Sequence, residues 1–260
     1  MKNNGLYPIQ DKNLWVAQWH LNDNSLAPTL IFLHEALGSV SLWKDFPERL
    51  CQRLGLNGLC YDRQGHGLSD PMDKKRDKLY LHEEALGYLR GVIDYFDIQH
   101  PILIGHSDGG SIALIYAAHF PHTKGVITEA AHIYVEPAGR PGIQTAMQQF
   151  KTTSLREKLQ KYHGDKTEAL FYAWAATWTD PSFADWEITG LLPRIEAPCL
   201  LLQGAEDQYA SQQHLFDIAK GIGAKAQAVL LENCGHTPHL QTQEETLDLM
   251  ADFIVMLNKG

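Results

Sequence analysis

Residues 101–119 constrain this chain more than any other stretch. A short apolar run, Pro101 to Gly105, leads into Gly105-His106-Ser107-Asp108-Gly109-Gly110, and an apolar helical pattern follows through His119. G-x-S-x-G between a strand and a helix describes a sharp turn that lifts a serine hydroxyl out of the backbone. The glycines have a steric reason. Side chains two positions before and after the serine would collide with neighbouring backbone, so both positions must be minimal. The helix N-terminus beneath the serine favours developing negative charge.

The rest of the chain supplies a fold for such a turn. Apolar runs at 30–34, 58–62, 101–105, 125–128, 199–204 and 228–232 read as strands. Several are continuously apolar, as strands buried on both faces of a parallel sheet are. Residues 14–21 suggest an antiparallel strand or two at the sheet's start. Helical spacing recurs at 41–54, 79–97 and 109–119, and at 243–257 behind a capping-box pattern from Thr242 to Glu245. Alternation of this kind means an α/β fold with a mostly parallel sheet. One segment, about 132–192, lacks a strong strand. It holds Trp174, Trp178 and Trp186, and prolines at 137, 141, 193 and 198 mark its ends. A single domain over 1–260, with a helical cap inserted at 132–192, is the expectation.

A serine hydroxyl needs a base to take its proton. Among 13 histidines, His236 follows the last apolar strand and precedes the last helix, on the same sheet edge as Ser107. His239 is its local competitor. The base needs a carboxylate to fix its tautomer. Asp207 follows the penultimate strand and suits the order Ser…Asp…His; Glu129 and Glu206 are the alternatives. An oxyanion hole needs two backbone N–H groups. Asp108, directly after the nucleophile, supplies one, and the loop from His34 to Ser39 supplies the other, with Ala36 the expected donor. Trp174 and Trp178 share helical spacing with Phe171 and Tyr172, and at least one of them is expected against the substrate. Glu129 could stand on the pocket wall or tether a loop.

Composition narrows the partners. With 22 basic and 31 acidic residues the formal charge is −9, which disfavours nucleic acid and anionic membranes. A hydrophobic fraction of 44% excludes intrinsic disorder. The four cysteines form no C-x-x-C pair and read as small core residues. No H-E-x-x-H or other ligand cluster suggests a metal, and Gly65-His66-Gly67 is not a dinucleotide motif. The start of the chain lacks a secretory apolar region, and no run approaches ~18 apolar residues. A soluble, cytoplasmic protein without metal or cofactor is expected, acting on a small molecule, its oligomeric state undetermined.

The ensemble resembles the α/β-hydrolase family over essentially the whole chain. The resemblance rests on the His34 loop, the run Tyr61-Asp62-Arg63 to Gly65-His66-Gly67 and Ser69, the turn at Ser107, Asp207 and His236. It implies an eight-stranded, mostly parallel sheet with helices on both faces. Tyr61 to Ser69 then reads as a hydrogen-bonded brace beneath the active-site loops rather than as catalytic. From Ser107 through Leu192–Ile195 to Gly204–Asp207 the chain is most similar to the valacyclovirase (biphenyl hydrolase-like) and carboxylesterase groups. Where family members carry glycine after the loop histidine, this chain has Glu35, which puts an acid near the pocket. In the valacyclovirase-like group the aspartate matching Asp108 is associated with a substrate amino group. The alternative for Asp108 is a brace bonded to the nearby backbone.

The expected activity is a serine hydrolase cleaving a small carboxylic ester or lactone through an acyl-enzyme. The same triad serves carbon–carbon, thioester and amide bonds. A small-molecule receptor or an acyl transferase on this fold are readings of other classes.

Overall fold

The computed structural model describes residues 2–136 and 139–258. Pro137, expected at the start of the insertion, lies outside them.

Eight strands form one sheet in the order β1-β2-β4-β3-β5-β6-β7-β8. β1 (Lys2–Ile9) and β2 (Lys12–Trp19) make an antiparallel hairpin, and β2 pairs antiparallel with β4 (Asn57–Tyr61). The remaining pairings are parallel and bring in β3 (Thr29–Leu33), β5 (Pro101–His106), β6 (Gly125–Glu129), β7 (Cys199–Gly204) and β8 (Ala226–Leu231). β5 lies between β3 and β6, and all six of its residues are buried. Alternate residues of one strand face opposite layers. Ile102 and Ile104 therefore join one core and Leu103 the other.

The first core holds α1 (Phe46–Leu54) and α10 (Gln243–Leu257); the second holds α2 (Tyr80–Glu83), α3 (Arg90–Tyr95), α4 (Asp108–His119) and α8 (Gln212–Ile222). Expected elements changed in three places. The helix over 41–54 divides at Lys44, whose φ of 56° ends a 3₁₀ turn, Val40–Trp43, before α1 begins. The helix over 79–97 starts only after Leu79 and widens into a π-helical turn, Glu84–Leu89, between α2 and α3. The wider turn shifts the buried face, so Leu86 points to solvent, as Leu79 does ahead of α2, while Ala85, Leu89 and Ile93 stay in the core. The capping box does not form. The Thr242 hydroxyl donates back to Pro238 O, because α9 (Pro238–Gln241) ends directly before α10 and offers that carbonyl.

Between β6 and β7 the chain leaves the sheet to make a helical layer of α5 (Arg140–Thr152), α6 (Leu155–His163) and α7 (Thr167–Thr179). Its outgoing and returning segments are stitched together. Tyr134 bridges Glu187 antiparallel, and Ile188 N donates to Ile133 O over 2.8 Å. The four cysteines are buried and free. Among the described residues no helix is long and apolar enough to cross a membrane.

Candidate active site

β5 ends at His106, and α4 starts at Asp108. Between them Ser107 holds φ 54° and ψ −118°, a conformation that side chains rarely adopt. It persists because the surroundings over-determine it. Ser107 N donates to Glu129 O at 2.8 Å, and Ser107 O accepts from Gly110 N and Ser111 N. A Cβ on Gly105 would lie 2.2 Å from Gly109 O, and one on Gly109 would lie 2.0 Å from Leu33 O. Both glycines are therefore steric necessities of the way α4 leaves the sheet.

The loops after β7 and β8 deliver the next two groups to the same edge. His236 Nδ1 lies 2.8 Å from Asp207 Oδ2 and 2.9 Å from Oδ1. Asp207 is further held by Tyr209 N at 2.8 Å on Oδ1 and by Gln203 Nε2 at 2.6 Å on Oδ2. Burial opposes its ionisation, but His236 and the backbone N–H groups of Tyr209 and Ala210 outweigh that and hold its carboxyl below the usual range. Asp207 thus accepts a hydrogen bond from Nδ1–H, which keeps the proton on that nitrogen and leaves Nε2 as the basic one. Burial dominates at His236 itself, so its pKa falls despite Asp207. Glu206 is exposed. Glu129, the other alternative acid and an expected pocket residue, is fully buried and pairs with His239 Nδ1 at 2.6 Å. It tethers the loop that carries His236 and does not line the cavity; His239, packed at a tilt against Trp43, is committed to that pair.

Ala36 and Asp108 both border the cavity that Ser107 and His236 line. Among the described residues no acceptor takes the backbone N–H of either. The loop around Ala36 is braced from below, as the Tyr61–Ser69 segment led one to expect. His34 Nε2 accepts from Arg63 N at 3.0 Å, Arg63 Nη2 donates to Glu35 O at 2.8 Å, and Asp62 Oδ1 accepts from Val40 N at 2.6 Å. Burial and the Arg63 charge push His34 down to about 3, so it braces as a neutral ring. From the helical layer, His163 Nε2 donates to Leu37 O at 2.9 Å while its Nδ1 accepts from Gly67 N at 3.0 Å. Nothing in the sequence around His163 signals that clasp.

The cavity encloses about 300 Å³. Ile143, Phe171 and Trp174 from α5 and α7 pack with Ala36 to give it an apolar wall. Trp178 also lines it, with its ring edge-on to His132 at 4.4 Å. Polar lining comes from Glu35, His132, Glu136 and His214. Asp108 has a fuller set of partners than its sequence neighbours suggest. Its Oδ2 accepts from Tyr80 at 3.0 Å and lies 3.6 Å from Arg63 Nη2, and His132 Nε2 lies 3.4 Å from Oδ1. Burial opposes ionisation, yet His132 and Arg63 hold the carboxyl well below the ordinary range. Its charge is matched by a buried guanidinium, which argues against a free subsite for an amine, and its partners are side chains of other segments rather than the nearby backbone that the sequence suggested. Among the described residues no group of metal-ligating side chains converges.

Residues 30–249 match the model of the Alpha/beta hydrolase family. The chain is an alpha/beta hydrolase. It is 23% identical to a 2-hydroxy-6-oxo-6-phenylhexa-2,4-dienoate hydrolase of Comamonas testosteroni over 95% of this chain and 94% of that protein. It is 24% identical to a bifunctional esterase/perhydrolase of Acinetobacter calcoaceticus, over 70% of this chain and 75% of that one. The enol-lactonase structure from Burkholderia xenovorans shares the fold, with a TM-score of 0.75 at 18% identity over 96% of this chain and all of its own. In this hydrolase Ser107, Asp207 and His236 all stand on loops that follow strands of the sheet: β5, β7 and β8.

Proposed function

We propose that this hydrolase cleaves a small carboxylic ester or lactone, with Ser107 as nucleophile, His236 as general base and acid, and Asp207 as the carboxylate that orients it. The observation that carries the reading is the Asp207–His236 pair, which leaves the basic nitrogen of His236 for the cavity that Ser107 lines. In this mechanism His236 Nε2 takes the Ser107 proton as Oγ attacks the carbonyl carbon. The Ala36 and Asp108 backbone N–H groups receive the oxyanion. His236 then gives its proton to the leaving oxygen as that bond breaks, and the acyl group stays on Ser107. Water, deprotonated by His236, releases the acid and restores the serine. The helical layer α5–α7 acts as the cap, excluding water and shaping the acyl site.

Cavity chemistry supports a neutral or cationic substrate with an apolar acyl part. Arg140 is the only Lys or Arg on the cavity wall among the described residues, whereas Glu35 and Glu136 both line it. The Comamonas relative is named for a dienoate, an anion. That substrate class would find no Lys or Arg on the described wall but the exposed Arg140, so esters or lactones are the better fit than carbon–carbon cleavage.

The test is labelling by a fluorophosphonate together with a series of p-nitrophenyl esters beside lactones and anionic half-esters. Stoichiometric labelling of Ser107 and turnover favouring neutral substrates are expected. Stoichiometric binding of a ligand without labelling or turnover would mean a receptor, and faster turnover of the anionic substrates would overturn the charge argument.

A further inference from the structure

His106 stands directly before the nucleophile and takes no part in the proton transfers above. It is 1% exposed, yet both ring nitrogens face functional loops. Nε2 donates to the His236 carbonyl over 2.7 Å. With its proton committed there, Nδ1 faces Glu35 Oε2 at 3.5 Å. Glu35 is placed for this contact by its own backbone. Its carbonyl accepts from Gly38 N, Arg63 Nη2 and His34 Nδ1. Its carboxylate folds back over Gly38, where a Cβ would meet Oε2 at 2.2 Å. Glycine at 38 is what lets the acid turn toward His106.

An acid here carries an electrostatic difficulty. Glu35 adjoins Ala36, whose N–H is to receive a developing anion, and its side chain is 27% exposed at the cavity. An unmatched carboxylate beside an oxyanion destabilises the transition state by like-charge repulsion, the more so where water is excluded.

We propose that Glu35 and His106 form an ion pair that keeps the oxyanion loop electrically neutral and ties it to the loop bearing His236, making both positioning residues for the reaction. The pair extends the serine-hydrolase reading and rests on it for its catalytic consequence. The acids facing His106 favour a protonated ring, against the repulsion a charged His236 would exert. Glu35 faces it from the loop after β3 and Glu129 adds a second negative charge from β6. On the loop after β8 lie His236 and His239, each ring 5.1 Å away, and the Trp43 ring closes the far side at 6.4 Å. Burial disfavours charge on His106, but the Glu35 contact outweighs it and raises the pKa. Burial likewise opposes charge on Glu35, and His106 nonetheless holds its carboxyl at about 2.

The experiment compares His106→Gln, Glu35→Gln and the double variant. The His106→Gln variant retains a donor for the His236 carbonyl but strands the Glu35 charge. Its kcat is expected to fall about tenfold to a hundredfold with KM little changed, and the double variant to regain most of that loss, a coupling of the size seen between contacting charges. A double variant no better than the product of the two singles would overturn the pair. A second readout needs no catalysis. By NMR titration in the Ser107→Ala background, the His106 ring should lose roughly one pH unit or more of pKa when Glu35 becomes Gln, since one unit is only about 1.4 kcal/mol of lost attraction. An unchanged titration sinks the proposal. A wild-type chain that neither labels nor turns over esters refutes the hydrolase reading, and the titration then still decides the pair.

Discussion

The hydroxyl of Tyr80 donates to Oδ2 of Asp108 across 3.0 Å, joining the helix after the brace segment to the first residue of the nucleophile's helix. Both residues are buried, and Arg63 stands on the same oxygen. The side chain next to Ser107 is therefore part of the scaffold. Asp108→Asn keeps the Tyr80 bond and leaves Arg63 uncompensated. Breaking a buried pair in this way costs about 3–5 kcal/mol. A urea titration should show that loss, while the rate ratio of aminoacyl to matched neutral esters stays put. A ratio that collapses in Asp108→Asn would instead assign the carboxylate to a substrate amine.

Removing members of the triad should be severe and non-additive. Ser107→Ala and His236→Ala should each lower kcat by roughly 10⁴–10⁶, with the double variant no worse than either. Asp207→Asn should cost up to about 10⁴, since the wrong tautomer results. Glu129→Gln should do less, because Glu129 acts on His236 only through the His239 tether. Steady-state kinetics on one p-nitrophenyl ester checks all five variants.

The acid limb of kcat/KM should lie below the ordinary histidine value of about 6.5. His236 must be neutral to accept the serine proton, and burial lowers its pKa. Activity should thus persist at mildly acidic pH and fall as His236 takes up a proton at a lower one. A limb centred above pH 7 contradicts this.

Stability should also decline with acid. His34 is pushed down to about 3 and His214 to about 4, each chiefly by burial. The unfolded chain protonates both near pH 6.5, the native chain does not, and each then removes about 1.4 kcal/mol per pH unit. Their contribution is whole above 6.5 and is lost as pH falls toward the folded values. Glu84 works the other way. Burial raises it to about 7, so it gains stability on acidification below 7. The histidines outnumber it, and the urea midpoint should drop between pH 6.5 and 4.5.

Trp174→Ala should move the preferred acyl chain to longer esters by enlarging the apolar wall. Trp178→Ala should chiefly lower the melting temperature, because Trp178 also packs against His132, Phe183 and Trp186. A chain-length profile and a thermal melt for each variant separate the two effects.

What could be read from the sequence was local or ordered along the chain. Gly105 and Gly109 announce the elbow because the clashes they avoid are with Leu33 and with the turn itself. Asp207 and His236 follow from which strands precede them. β1 was not legible: only Ile9 of its eight residues is buried, and it owes its shape to pairing with β2. The partners of Asp108 were equally hidden, since Arg63, Tyr80 and His132 come from three separated segments. The same holds for Glu129, whose reach to His239 depends on how two loops fold over the sheet's edge.

The stitch at Tyr134 and Glu187 has a consequence for how such a molecule can change. The helical layer departs and returns through one narrow neck, so its two ends are fixed side by side whatever lies between. Closing a longer or shorter excursion there costs little, since the entropy grows only logarithmically with length. On the proposed mechanism, substrate preference and bond-breaking machinery are thereby separable units of inheritance. A transplant of another hydrolase's excursion, joined at this neck, should carry its donor's acyl preference onto a nucleophile, base and acid that never move.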